Sequence, residues 1–207
     1  MKDQLPEFCP MKNKTEIIEK AIRKYDEKNV KELYINSSIT SQRSYQIVRG
    51  RQISVRPRLL ELIKFSQMMN WKKIGVAYCS GLTNEAKRTV EILENAGFNV
   101  YSVRCKCGGV DKTVLGLPKE YKIGSLYGEP DRFEASCNPI AQAEVLNSEN
   151  LDLHIIIGLC VGHDILFTKY SVAPVSTFIV KDRVTGHNPM ASLYSAYHHP
   201  RYWKEET

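Results

Sequence analysis

The longest run of apolar residues in the chain predicts a strand that is buried on both faces. Between Leu153 and Leu159, five of seven residues are Leu or Ile, and no polar alternation follows His154. Such a run is typical of a parallel sheet, whose two faces are covered by helices. Gly158 and Gly162 allow the chain to turn sharply after the strand, and Asp164 is the predicted N-cap of the next helix.

Three shorter runs, ahead of and behind this strand, predict a sheet of about four strands. They extend from Lys73 to Cys79, from Phe98 to Cys105 and from Val175 to Val180, with helical patterns between them. Strands that alternate with helices imply right-handed crossovers and a mainly parallel sheet. The pattern therefore predicts an α/β fold, a Rossmann-like three-layer sandwich with strand order 2-1-3-4.

The N-terminal third shows helical patterns only. One helix is predicted to begin near Thr15, a second to extend from Asn36 to about Gly50, and a third from Arg58 to Met69. We therefore expect residues 1–70 to form a helical arm packed on the core and residues 71–207 to form the Rossmann-like core. The two parts together are predicted to be one structural domain.

A long connection, residues 106–136, separates the second and third predicted strands of the core. It is rich in Gly and Lys and contains two prolines. Connections of this length in compact domains are usually functional lids or disordered segments. It leads into Cys137-Asn-Pro, where Asn138 suits a helix N-cap and Pro139 the first helical position.

Composition and hydropathy place the protein in the cytoplasm, without contact with a membrane. The apolar content of 43% and charged content of 25% are ordinary for a globular protein. No apolar run is long enough to cross a bilayer, and residues 1–30 lack the apolar centre of a signal peptide. In a reducing compartment, the six cysteines suit ligands, redox groups or core residues better than disulfides.

Basic residues are concentrated between Arg43 and Lys73, where eight Lys and Arg side chains face one acidic residue, Glu61. One interpretation is a polyanion site for phosphate, nucleotide or RNA. The residues that would form it are Arg49, Arg51, Arg56 and Arg58. The alternative is a solvated helical face, which we favour because no aromatic residues or RNA-binding motif accompany the arginines.

Four cysteines are predicted to meet at one edge of the sheet. Cys79, Cys105 and Cys160 follow strands, and Cys137 precedes a helix whose N-terminal amides favour a thiolate. In open parallel sheets, ligands bind outside the carboxyl ends of the strands. Cys107 could substitute for Cys105 or add a thiol. The alternative is that these cysteines are unrelated small core residues.

Thiolates in this arrangement suit Zn²⁺, Cu⁺ or an iron–sulfur cluster. The chain lacks the paired cysteines of most structural zinc sites and the cysteine run of ferredoxins. We favour a cluster, since its ligands can come from dispersed loops, with zinc as the alternative. Candidate catalytic residues near the same edge are His163, Asp164, Lys181, Asp182 and His187. No Walker loop or dinucleotide fingerprint is present, so nothing supports nucleotide binding directly.

Three motifs resemble a known family. Cys137-Asn-Pro-Ile-Ala-Gln-Ala, Gly158-Leu-Cys-Val-Gly-His-Asp and Val180-Lys-Asp-Arg-Val-Thr-Gly-His-Asn-Pro are similar to a bacterial and archaeal family of unknown function labelled as predicted metal-binding proteins. The resemblance extends from about Phe8 to Tyr194 and implies metal binding but no established activity. Many members carry a further cysteine-rich stretch near the N-terminus, where this chain has Cys9 alone, which weakens the expectation of a second metal site.

Three functions fit the sequence. The first is a metal-binding protein with an iron–sulfur or other thiolate centre, which could also perform redox or sulfur-transfer chemistry on a small molecule or with a redox partner. The second is a zinc-binding structural or regulatory module without catalysis. The third is a metal-free enzyme in which Cys137 is the nucleophile and His163 or His187 the base.

Overall fold

The computed structural model of the protein describes residues 5–195. The chain divides into two compact units, Met1–Asn70 and Trp71–Thr207, and each is described by itself. In the described part of the chain, no helix combines the length and the hydropathy that crossing a membrane requires.

The first unit contains four helices and a β-hairpin. The helices are α1 (Pro10–Asn13), α2 (Thr15–Arg23), α3 (Lys28–Gln42) and α4 (Arg58–Met68). Between α3 and α4, the antiparallel strands β1 (Tyr45–Val48) and β2 (Arg51–Ser54) form the hairpin.

The hairpin corrects the helix that the sequence predicted from Asn36 to Gly50. That region is divided between the end of α3 and strand β1. Arg49 and Gly50, between the strands, both have positive φ, 51° and 74°. Two central residues of positive φ are typical of the two-residue turns that match the twist of a hairpin. The alternating apolar residues on either side of this turn are a strand pattern that we assigned to a helix.

The second unit is built on the predicted four-stranded parallel sheet. Its strands are β3 (Lys73–Tyr78), β4 (Asn99–Arg104), β5 (Leu153–Ile157) and β6 (Val175–Ile179). Their order is β4-β3-β5-β6, and all neighbours are parallel. The predicted order 2-1-3-4 and the Rossmann-like α/β sandwich are therefore confirmed.

Helices α5 (Thr83–Asn95), α6 (Pro139–Asn147), α7 (His163–Tyr170) and α8 (Pro189–Tyr194) complete this unit. Helices α5 and α6 both pack on β3 and β4. Asn138 caps α6 as predicted, because its side chain accepts a hydrogen bond from the Ala141 N–H at 3.0 Å. The predicted cap of α7 was wrong: Gly162, with a φ of 85°, precedes the helix, and Asp164 lies in its first turn.

The centre of the sheet buries a histidine against a glycine. His154 on β5 is fully buried, and its Nδ1 hydrogen bonds with the Ser171 hydroxyl, while Nε2 has no partner. Gly75 lies beside it on β3, where an added Cβ would lie 2.7 Å from the imidazole Cδ2 atom. Burial disfavours the charged imidazole and lowers the pKa of His154 from 6.5 to about 4.

We expect His154 to make the protein less stable in mild acid. Between pH 6.5 and pH 4 the unfolded chain binds a proton at His154 that the folded protein excludes, so the free energy of unfolding falls as the pH falls. The loss should total about 2–3 kcal/mol. Urea unfolding of the wild type and of His154→Leu across this range measures it as a difference in slope. A slope in His154→Leu equal to that of the wild type would contradict this account.

Residues 106–136 form an ordered connection without α-helices or extended strands. Three short 3₁₀ turns follow one another, and one isolated antiparallel bridge joins Asp111 to Ala135. The Lys122 ammonium is buried and lies 3.0 Å from the Asp111 carboxylate, which also accepts the Glu134 N–H at 2.7 Å. This contact fastens the middle of the connection to its two ends.

Candidate thiolate site

Backbone hydrogen bonds bring the predicted cysteines to the carboxyl edge of the sheet. Cys79 directly follows β3, and its N–H donates to the carbonyl of Ile157 at the end of β5. Cys105 directly follows β4, and its carbonyl accepts the Asn138 N–H at 2.6 Å. This second bond holds the start of α6, and with it Cys137, against the end of β4.

A buried glutamine further ties α6 to the sheet. The side-chain amide of Gln142 donates to the carbonyls of Val103 and Tyr78, at 2.8 and 3.3 Å, where β4 and β3 end. Gln142 is fully buried. Its contacts explain why a cysteine one residue before the helix cap lies beside cysteines that follow two strands.

Cys105 is the buried centre of the thiol group. Its Sγ lies 3.6 Å from the Sγ of Cys137, and the Ser80 N–H donates to it at 3.3 Å. The Ser80 hydroxyl lies 3.7 Å away, and the Cys79 thiol also interacts with this sulfur. The sequence did not single out Ser80, because its contact is made by a backbone N–H, which the residue type does not reveal.

These contacts separate the pKa values of the two neighbouring thiols. The Cys137 S–H, more than any other group, stabilises the Cys105 thiolate and lowers the pKa of Cys105 from 9.0 to about 5, against the opposing effect of burial. Its role as donor to that thiolate, together with burial, raises the pKa of Cys137. This hydrogen bond therefore favours a thiolate at Cys105, whereas the sequence predicted one at Cys137.

Removing the Cys137 thiol should raise the pKa of Cys105. In metal-free, reduced protein, the ultraviolet absorbance of the thiolate should give one titration step near pH 5. In Cys137→Ala this step should move upwards by about 1–2 pH units, because the largest source of stabilisation is lost. Cys137→Ser keeps a donor and should move it less. An unchanged step in Cys137→Ala would contradict the proposed hydrogen bond.

Two other thiols of the group, those of Cys79 and Cys160, each contact a cation. The Lys181 ammonium lies 3.4 Å from the Sγ of Cys79, and the Arg183 guanidinium lies 2.9 Å from the Sγ of Cys160. Cys160 and Cys79 both act electrostatically on Cys137. The four predicted thiols thus lie in one neighbourhood, with two positive charges on its outer side.

A cavity of about 990 Å³ opens in front of these thiols. Cys79, Cys137 and Cys160 line it, and Cys105 lies behind Cys137. The connection 106–136 also lines the cavity, to which it contributes apolar and basic side chains. The long connection predicted from the sequence therefore covers the cysteine edge of the sheet.

The two remaining cysteines are not among the residues that line the cavity. The Cys107 thiol donates to the carbonyl of Asn138 at 3.6 Å, and burial raises its pKa. It is close enough to the start of α6 to keep the predicted role of substitute for Cys105. Cys9 belongs to the first unit, where it precedes α1.

The candidate catalytic residues divide into two groups. Of the candidates, His163 and Lys181 line the cavity, and Arg183, which was not a candidate, lines it as well. Asp182 instead accepts the backbone N–H groups of Val184 and Thr185, at 2.9 and 3.0 Å, and so stabilises a turn. His187 accepts the Asp182 N–H at 3.1 Å, and Asp164 accepts the N–H of the next residue. Neither His187 nor either aspartate is among the residues that line the cavity.

Two of the thiols, but no group of three ligands among the described residues, are spaced to hold a single metal ion. Among residues 5–195, no three His, Cys, Asp or Glu side chains, in the positions they occupy, form a group that could hold one ion. The Cys105–Cys137 sulfur separation of 3.6 Å does fit two thiolates on one tetrahedral metal. Zn–S bonds of about 2.3 Å place such sulfurs about 3.8 Å apart.

The arginines of the first unit lie on different elements. Arg49 and Arg51 lie at the hairpin turn, and Arg58 begins α4. Arg56 lines a cavity of about 250 Å³ with Arg43 and Lys64. Binding of a polyanion there stays a prediction.

Comparisons with known proteins agree with the resemblance seen in the motifs. The model of a family described as "Protein of unknown function (DUF1847)" matches residues 9–178. The chain is also 46% identical over 185 residues to an uncharacterized protein, MJ0455, from Methanocaldococcus jannaschii. The aligned residues cover 89% of this chain and 87% of that protein. No solved structure matches. The chain therefore belongs to the DUF1847 family.

Proposed function

We propose that this protein binds a metal centre through Cys79, Cys105, Cys137 and Cys160, and that the centre is an iron–sulfur cluster. The observation that carries the proposal is the convergence of four thiols from four separate segments, with one sulfur pair 3.6 Å apart. Four soft ligands in one neighbourhood are the donor set that iron–sulfur clusters and zinc prefer.

A cluster accounts for the spacing of the thiols better than one ion does. The ligands of a single zinc ion must all reach the same atom, whereas those of a cluster bind different irons and can be spread wider. The close pair Cys105 and Cys137 would hold the centre together with Cys79 and Cys160.

The surrounding charges also suit an anionic metal centre. Four thiolates around an iron–sulfur core leave it negatively charged, and such a charge near the protein interior needs compensation. Lys181 and Arg183 already donate to Cys79 and Cys160. The Ser80 N–H adds a hydrogen bond to Cys105, of the kind that tunes the potential of a cluster.

The centre would supply redox chemistry, or accept sulfur from a substrate if only three of the four thiolates bind it. The chain's own residues would hold a small molecule in front of the thiols and exclude water behind it. Cys105, only 2% exposed, is shielded from solvent, whereas Cys137 and Cys160 are more open. Redox or sulfur-transfer activity therefore belongs to the outer side of the site.

Two alternatives have support of their own. Zinc binding without catalysis is favoured by the separation of 3.6 Å between the sulfurs of Cys105 and Cys137, which fits two thiolates on one zinc ion. A metal-free thiol enzyme is favoured by the pKa of Cys105 near 5, which would make Cys105, rather than Cys137, the nucleophile. In that case His163, on the cavity wall, is better placed than His187 to transfer a proton.

Anaerobic purification separates the three functions. Iron and acid-labile sulfide in stoichiometric amounts, with broad visible absorption that bleaches on reduction, are expected for the cluster. Zinc without visible absorption would replace the cluster by the zinc module. Protein that contains neither metal after anaerobic expression with added iron and zinc would leave the thiol enzyme.

A further inference from the structure

The cavity in front of the thiols has features that the proposed metal centre does not explain. Its volume of about 990 Å³ is at the upper end of the range of small-molecule sites, roughly 300–1,000 Å³. Four cysteine side chains account for one end of it only. The rest is lined by residues of the connection 106–136 and of the segments that follow β5 and β6.

Apolar side chains of the connection 106–136 form a wall of the cavity, although solvent can reach them. Leu115, Tyr121 and Ile123 are 53%, 69% and 58% exposed, and all three belong to the cavity lining. Exposed apolar groups that line one concave surface indicate a binding site, because a ligand that covers them removes apolar area from water. A ligand with an apolar body fits this wall.

The wall is held in place without these side chains. The buried Lys122 ammonium contacts Asp111, and Lys112 forms an ion pair with Glu134. Glu134 is the one carboxylate among the cavity-lining residues, so its charge is already compensated. The site is therefore largely formed before a ligand arrives.

The charge that remains in the cavity is positive. Lys106, Lys181 and Arg183 line it, and none of the three forms an ion pair with another of the described residues. Lys181 and Arg183 contact thiols on one side only. The N-terminus of α6, at Asn138 and Pro139, also opens into the cavity and favours negative charge.

We propose that the cavity binds a small organic anion with an apolar body, whose charged group lies at Lys106 and Arg183 and whose body lies against Leu115, Tyr121 and Ile123. This inference rests on the proposed function in one respect: it names the class of molecule held in front of the thiol centre. A guanidinium can bind a carboxylate or phosphate group through two parallel hydrogen bonds.

A matched pair of probes tests the inference by calorimetry on the full chain as purified. 2-Naphthoate carries the anion and the apolar body, and 2-naphthalenemethanol has nearly the same shape without charge. We expect naphthoate to bind about tenfold more tightly than the alcohol, and more weakly as salt is raised. Equal affinity for the two probes, or no saturable binding of naphthoate, would overturn the proposal.

Variants locate the site. Lys106→Gln and Arg183→Gln should each weaken naphthoate binding about tenfold and leave the alcohol unchanged. Tyr121→Ala should weaken both probes, because it removes apolar contact. Arg88→Gln, an exposed arginine on α5, is the matched control and should bind as the wild type does. Loss of binding in Arg88→Gln, or wild-type binding in Lys106→Gln, would place the anion elsewhere.

The same titrations after chelator treatment separate this inference from the metal proposal. Lys106 and the apolar wall exist without a metal, so naphthoate should still bind metal-free protein. Saturable, charge-dependent binding by a protein that never holds metal would refute the metal centre and keep the anion site. Metal content without naphthoate binding would do the reverse.

Discussion

Replacing Cys137 or Cys160 with serine is expected to abolish iron and sulfide binding in otherwise folded protein. Serine keeps the size of the side chain but removes the soft sulfur that these metals prefer. Cys137 is one of the close sulfur pair, and Cys160 lines the cavity beside Arg183. Cys79→Ser should have the same effect. Metal and sulfide analysis after anaerobic purification measures the loss, and circular dichroism verifies the fold.

Two further serine variants complete this test. Cys9 lies in the first unit, so Cys9→Ser should retain full metal content and is the matched control. Cys105→Ser should keep part of it, because Cys107 lies beside the start of α6 and can take over as ligand. Full metal content in both Cys137→Ser and Cys160→Ser would mean that the proposed site does not exist.

Gly75→Ala is expected to destabilise the protein by about 3 kcal/mol, at the upper end of the usual cost of overpacking a core. A Cβ at Gly75 would lie 2.7 Å from the His154 ring and 2.8 Å from a Leu151 methyl carbon, both closer than real atoms approach. His154 is fully buried and bonded to Ser171, so it has no room to retreat. Denaturant unfolding measures the loss.

Gly81→Ala is the matched control for this substitution. A Cβ there would have its nearest neighbours at 3.4 Å, the Lys181 ammonium, and 3.9 Å, the Cys79 sulfur. We expect its effect on the free energy of unfolding to stay within about 1 kcal/mol. A Gly75→Ala variant as stable as Gly81→Ala would show that the centre of the sheet can repack.

The sheet was predictable because its strands carry strong local signals. The run from Leu153 to Leu159 has no polar alternation after His154. Gly97 marks the end of α5, ahead of β4. The hairpin around Arg49 carries a weaker signal. Its strands are short and exposed on both faces, and their alternating apolar residues were assigned to the helix that precedes them.

The candidate site was predictable in its members but not in its chemistry. Position at strand ends was enough to bring Cys79, Cys105 and Cys160 to one edge, and position before a helix indicated the same edge for Cys137. Which thiol becomes the thiolate depends on donors from other segments, chiefly Cys137 and Ser80 acting on Cys105. Such contacts follow from distances of a few ångströms, which sequence spacing does not determine. The same holds for Lys122, whose burial against Asp111 nothing in its neighbourhood indicated.

The order of strands in the sheet has a consequence for how the protein reaches its folded state. Strands β3 and β4 are joined through α5 alone, so we expect this unit to close early, whereas β5 must arrive across the long connection 106–136. During that interval Cys79 and Cys105 are already neighbours, while Cys137 and Cys160 are still in unfolded chain. An oxidant present during synthesis would therefore capture Cys79 and Cys105 as a disulfide before the other two thiols can compete. The yield of folded protein with four free thiols should depend on the redox conditions during folding more than on those during storage.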